Sequence, residues 1–148
     1  MFGNLCYKWS EMKVIPTHLD TLQKIAEALP PVGGARVAAM LTKGHKVVAI
    51  GYNQNKSHPF QAKFAKNKDA IDLHAETDCI QNALHSVSTR DLRKMTLYIV
   101  RVKRPGAQSQ EWIWGDACPC VGCSRMIATF GIRNVVFSTD EHKKWKTL

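Results

Sequence analysis

The chain has 148 residues, 45% of them apolar and 22% charged, with a net charge of +9. That length suits one domain spanning 1–148, able to bury a core without disulfide staples. The composition is that of an ordinary soluble globular protein, and no stretch approaches the ~18 consecutive apolar residues that a membrane span needs.

In chain order, Met1–Pro16 carries no strong pattern, and Met1 to Lys13 has no apolar run of signal-peptide length. Trp9, Met12 and Val14 are candidates to pack on the body, and Cys6 reads as a free thiol. Thr17 is a candidate cap for a helix whose Leu19, Leu22, Ile25, Ala26 and Leu29 share one face. Pro30-Pro31 stops it, and Gly33-Gly34 makes a joint. Arg36–Thr42 and His45–Gly51 form a hairpin around Lys43-Gly44. Tyr52–Asp69 reads as a polar loop with Asn53, Lys56, His58, Lys63, Lys66 and Lys68, and its length marks it as functional or disordered.

Ala70–Val87 is read as a second helix, with His74 and Glu76 in its first turn. Met95–Val102 is a strand by its Leu97, Ile99 and Val100 content. Arg104-Pro105-Gly106 is a turn, and Glu111–Trp114 a possible short return strand. Cys120–Phe130 is a third helix ending at Gly131, and Asn134–Ser138 a last strand. The basic tail 139–148 shows no evident fifth strand. Strands alternating with helices predict a three-layer α/β/α fold with a mixed sheet of four or five strands, its core about residues 17–138. The first two strands should be antiparallel and the later ones parallel.

The chemistry sits in His74-Ala75-Glu76 and Pro119-Cys120-Val121-Gly122-Cys123. One imidazole and two thiolates form a three-ligand set for zinc, and three ligands leave the fourth tetrahedral position open, as catalytic zinc requires. A helix N-terminus lowers a thiol pKa and favours the ligating thiolate. Glu76 is then the natural proton carrier. Cys-x-x-Cys alone is a weak signal, and His-x-Glu alone is near noise. Together, in this order and with a strand between, they form the H-x-E…P-C-x-x-C signature of zinc deaminases, which attack C4 of cytosine or C6 of adenine.

On these residues the chain resembles the cytidine and deoxycytidylate deaminase superfamily, most in the look of its dCMP deaminase branch, from about Thr17 to Ser138. Gly51-Tyr52-Asn53 resembles the family's Gly-Tyr-Asn. Thr96-Leu97-Tyr98-Ile99-Val100 resembles the strand before the cysteines, and Gly131-Ile132-Arg133-Asn134-Val135-Val136 the strand entry after them. The resemblance implies zinc on His74, Cys120 and Cys123, with Glu76 as acid and base. It implies a sugar contact from Asn53, a base contact from the Ala75 amide, and self-association. The chain departs from the family pattern where Asp78 replaces the usual Asn, in the loop after Asn53, and in the long segment 101–117.

Other candidates have two readings each. Cys118 is a fourth ligand or, more in keeping with the motif, a bystander. Cys79 suits the core, since free cysteine is often buried. His58 and Lys56 reach a base or phosphate, or make local and solvated contacts. Trp112 and Trp114 stack on a base, as in single-strand binders, or pack a hairpin. An odd count of five cysteines, three of them in 118–123, excludes a plain disulfide framework and points to a reducing compartment, the cytoplasm. The excess of 21 Lys and Arg over 12 Asp and Glu suits a phosphate-bearing partner, although a basic surface without one has the same composition. The leading expectation is hydrolytic deamination of a free pyrimidine nucleotide, dCMP to dUMP. Its rivals are a deaminase of tRNA adenosine or single-stranded DNA cytosine, and a non-catalytic zinc scaffold.

Overall fold

Proline at the first helical position starts helix α1 (Pro16–Glu27), because its fixed φ suits the helix and its missing N–H costs no bond there. The cap position falls on Ile15, so Thr17 lies inside the helix. The structure, a computed structural model, describes residues 13–30, 36–65 and 72–148. The expectations for Cys6, Trp9, Met12, Pro31, Gly33, Gly34, Lys66, Lys68, Ala70 and Ile71 lie outside those residues.

Strands β1 (Arg36–Lys43) and β2 (Lys46–Tyr52) form the predicted antiparallel hairpin, turning at Gly44 with φ 61°. The expected polar loop contains instead a short strand β3 (Gln54–Ser57) and a helix α2 (Pro59–Phe64). Strand β4 (Asp72–Leu73) pairs with β3 in a separate two-stranded sheet, so the second long helix, α3 (Ala75–Ala83), starts later than its apolar content suggested. A single turn of helix, α4 (Thr89–Leu92), follows under a capping box between Ser88 and Asp91. Then come β5 (Thr96–Lys103), β6 (Ile113–Gly115), helix α5 (Val121–Thr129), β7 (Asn134–Ser138) and β8 (Trp145–Thr147).

The main sheet has six strands in the order β2-β1-β5-β7-β8, with β6 also paired to β5. Two departures from expectation stand out. Within it β5–β7 is the parallel pair, while β1–β5, β5–β6 and β7–β8 are antiparallel. The tail also adds an edge strand, β8, that no hydrophobic alternation announced. Lys143, at φ 64°, and the bond from Thr139 N–H to Lys144 O fold it back onto β7.

Successive residues of a strand face opposite sides, and this builds the layers. Ala38, Met40, Tyr98, Val100 and Val136 meet Leu19, Leu22 and Ala26 of α1. Ala39, Leu41, Leu97, Ile99, Val135 and Phe137 meet Cys79, Ile80 and Ala83 of α3 and Met126 and Ile127 of α5. Burial of Leu19 and Leu22 stabilises by about 1.5–3 kcal/mol each. Among the described residues, no helix is long and apolar enough to cross a membrane.

Candidate active site

Two helix starts converge on one point. His74 is the N-cap residue of α3, held extended at φ −86° and ψ 158° just after β4. Residues two apart inside a helix diverge by about 200°. Standing outside the helix frees His74 from that geometry, while Glu76 occupies the first turn. Cys120 is the N-cap residue of α5, and its sulfur accepts the Cys123 backbone N–H at 3.4 Å. His74 Nδ1 lies 3.5 Å from Cys120 Sγ and 3.3 Å from Cys123 Sγ.

These ligand atoms lie within 4.8 Å of one another. A tetrahedral zinc with ligands at ~2.0 Å (N) and ~2.3 Å (S) needs N···S edges of about 3.5 Å, so the set fits the ion. The electrostatics agree. The bond to Cys120 holds the His74 imidazole above its ordinary pKa. The Cys123 thiol, donating to its neighbour, pulls Cys120 far below the usual thiol range, while Cys123 itself is pushed up. Zinc binds cysteine as the thiolate, so ligation is coupled to loss of the thiol proton.

Glu76 is 6% exposed, and burial pushes its carboxyl above the ordinary value. It lines a cavity of about 330 Å³ with His74, Cys120, Asn53, Ala75 and Arg101.

Supporting residues come from distant parts of the chain. Gln61 of α2, 2% exposed, accepts the His74 backbone N–H at 3.2 Å and the Thr77 hydroxyl at 2.6 Å through Oε1. Its amide points at Cys123 Sγ, 3.9 Å away. Asp78 accepts the Tyr52 N–H at 3.1 Å, tying α3 to the end of β2. Gly51 permits the close packing between them: a Cβ there would stand 2.2 Å from the Cys79 nitrogen and 2.6 Å from the Ala75 oxygen. Asn53 exchanges two bonds with Val37, accepting its N–H at 3.0 Å and donating to its carbonyl at 3.2 Å.

The model of the cytidine and deoxycytidylate deaminase zinc-binding region matches residues 12–139. The chain belongs to the cytidine and deoxycytidylate deaminase family. It is thus of a family of zinc-dependent hydrolytic deaminases. The crystal structure of dCMP deaminase from the cyanophage S-TIM5 in apo form is similar over 88% of this deaminase and 89% of that chain, at 21% identity and TM-score 0.52. At that identity the likeness concerns the fold. The same phage enzyme in complex with dCMP and dUMP is similar over 84% and 83%, at 20% identity and TM-score 0.47. No curated protein matches the chain.

Of the other nominated residues, the exposed Cys118 lines the cavity but is not in the three-residue ligand cluster. Cys79 is buried, its thiol pushed up by desolvation. His58 borders a separate cavity with Gln81, Leu84 and His85, and Lys56 is exposed away from the wall around Glu76. Trp114 is 1% exposed, and its indole N–H donates to Gln23 at 2.8 Å. Gln61 and Arg101 escaped the sequence reading, which noted Asp78 only as a departure from the family pattern. A glutamine in a lysine-rich stretch carries no spacing rule that would mark it.

Proposed function

We propose that this deaminase converts a free pyrimidine nucleotide, most simply dCMP, to dUMP with release of ammonia. The observation that carries the reading is a buried carboxylate, Glu76, on the wall of a cavity beside three groups placed to hold a metal ion. At about 330 Å³ the cavity lies at the small end of ligand sites, ~300–1,000 Å³.

In this reading His74, Cys120 and Cys123 hold zinc. Bound there, the ion supplies the Lewis acidity that makes water nucleophilic at neutral pH. Glu76 accepts a proton from the attacking water at a carboxylate oxygen and delivers it to N3 of the pyrimidine. The C4–O bond forms as the ring gains that proton. Glu76 then returns the water's second proton to the amino group, the C4–N bond breaks, and ammonia leaves. Burial raises the Glu76 carboxyl above its ordinary value, the direction that suits a group acting as acid as well as base. The Ala75 amide, at the start of α3, is the proposed contact to the base, and Asn53 the proposed contact to the sugar. The described cysteines are free thiols, in keeping with the cytoplasm as the proposed compartment.

The nucleic-acid alternative leaned on the net charge and on two tryptophans. Trp114 is core, and Trp112 already touches two guanidinium groups, with Arg36 and Arg104 at 4.6 and 4.5 Å from its ring centroid. With Trp114 buried and Trp112 held against two arginines, the packing role of the pair is favoured, which supports the mononucleotide.

The test is an ammonia-release screen of the zinc-loaded protein over cytosine and adenine nucleosides, nucleotides and short oligomers, at 50 and 200 mM salt. The expected result is turnover of dCMP that varies little with salt, and loss of about 10²–10⁴-fold in Glu76→Gln with zinc retained. Activity confined to oligomers and falling steeply with salt would overturn the choice of substrate. Full function in Glu76→Gln would support the scaffold reading instead.

A further inference from the structure

Arg101 stands on β5 between two neighbours, Val37 of β1 and Gly115 of β6. Because β1 runs along one edge of β5 as far as Val102, β6 takes the other edge, beyond the end of β7. Ser138, fully buried at that end, clamps the junction. Its hydroxyl accepts the Arg101 backbone N–H at 3.0 Å and donates to Gly115 O at 2.7 Å. The arginine shaft lies over Gly115, where a Cβ would come within 3.2 Å of Arg101 Cδ. Backbone and shaft are therefore held, and Arg101 lines the cavity that also contains His74, Glu76 and Asn53.

Arg101 Nε is buried and has no hydrogen-bond partner. Among the described residues the ion pairs join Lys103 to Asp140 and Lys143 to Asp20, and Arg101 is in neither. Glu76, Asp72 and Asp116 line the same cavity, and Asp140 feels the Arg101 charge without a direct ion pair to it. Asp116 accepts the Cys118 N–H, and Asp140 accepts from Lys103 and from the Asp116 N–H. A buried donor without a partner is costly, and native structures keep few of them. With its Nε partnerless and the residue on the wall of the cavity, the Arg101 guanidinium is the cationic group there to which a substrate anion can add. Its planar fork matches a phosphate with two parallel bonds. The other basic candidates, Lys56 and His58, are not on this wall.

We propose that Arg101 binds the 5′-phosphate of the substrate and so makes the site selective for a nucleoside monophosphate over the bare nucleoside. The inference rests on the reading of the cavity as a nucleotide deaminase site. It makes β6 and the long segment before the cysteines part of substrate choice, because the pairing of β6 with β5 is what holds the arginine shaft.

The experiment compares zinc-loaded wild type, Arg101→Gln and Arg101→Lys on dCMP and on deoxycytidine, with calorimetric binding of dUMP and deoxyuridine as a second readout. The expected result is a rise of about 30- to 1,000-fold in KM for dCMP in Arg101→Gln, as for a lost buried charge contact. Deoxycytidine turnover should stay within a few-fold, the dUMP preference over deoxyuridine should vanish, and Arg101→Lys should recover part of it. If Arg101→Gln does not fold, Arg101→Lys alone decides, since it keeps the charge and loses the fork. Equal losses on dCMP and deoxycytidine would mark a structural role, and an unchanged preference for the phosphate would mean another anchor; either overturns the inference. A wild type that ignores dCMP overturns the substrate reading, and with it this assignment. A wild type active on dCMP whose variants keep the phosphate preference overturns Arg101 alone.

Discussion

Replacing Gln61 by Leu keeps most of the side-chain volume and removes its hydrogen bonds. Two buried donors lose their acceptor, the His74 backbone N–H at 3.2 Å and the Thr77 hydroxyl at 2.6 Å. Each orphaned group costs about 1–3 kcal/mol, so the stability loss should be about 2–6 kcal/mol. For a chain of this size that lowers Tm by roughly 5–15 °C. The second effect is more telling. Gln61 orients the residue that carries the imidazole and points its amide at the Cys123 sulfur. Loss of such an outer contact weakens metal binding by about 10–100-fold. Competition against a chromophoric zinc chelator measures that affinity, and calorimetry with and without zinc measures stability. Thr77→Val serves as control, because it removes the hydroxyl but leaves the Gln61–His74 bond, and should change zinc affinity by less than about threefold. A Gln61→Leu protein with lowered Tm and unchanged zinc affinity would refute the reasoning, leaving Gln61 as packing alone.

Other outcomes follow from single contacts. Gly51→Ala sets a methyl against the backbone of α3, 2.2 Å from the Cys79 nitrogen, and should cost more than the ~1–3 kcal/mol of ordinary overpacking, seen as a large drop in Tm. Cys118→Ser should leave one zinc per chain by elemental analysis, whereas Cys120→Ser or Cys123→Ser should bind zinc far more weakly, since only the latter two share a cluster with His74. Asp91 is held below the ordinary carboxylate value by the Ser88 backbone N–H. A depressed acid stabilises above its unfolded pKa and loses that contribution as pH falls toward the folded one. The Tm gap between wild type and Asp91→Ala should therefore be present at pH 6 and close below about pH 4.

What the sequence alone determined was the local chemistry. A metal ligand set needs particular side chains at particular spacings, so His74-Ala75-Glu76 and Cys120-Val121-Gly122-Cys123 are legible wherever the chain goes. The hairpin at Lys43-Gly44 and the apolar runs of β5 and β7 are legible for a similar reason, because residue period and turn chemistry are short-range. The tertiary structure alone decided which distant groups stand beside that chemistry. Gln61 reaches His74 across 13 residues, Asp78 reaches Tyr52 across 26, and Ser138 reaches Arg101 across 37. No local rule encodes those meetings, since they depend on how α2, α3 and β7 pack. The same is true of β8, a short polar strand that exists because the edge of β7 was there to pair with. Basic residues of the polar loop drew notice by charge, whereas packing left Arg101 as the guanidinium on the cavity wall.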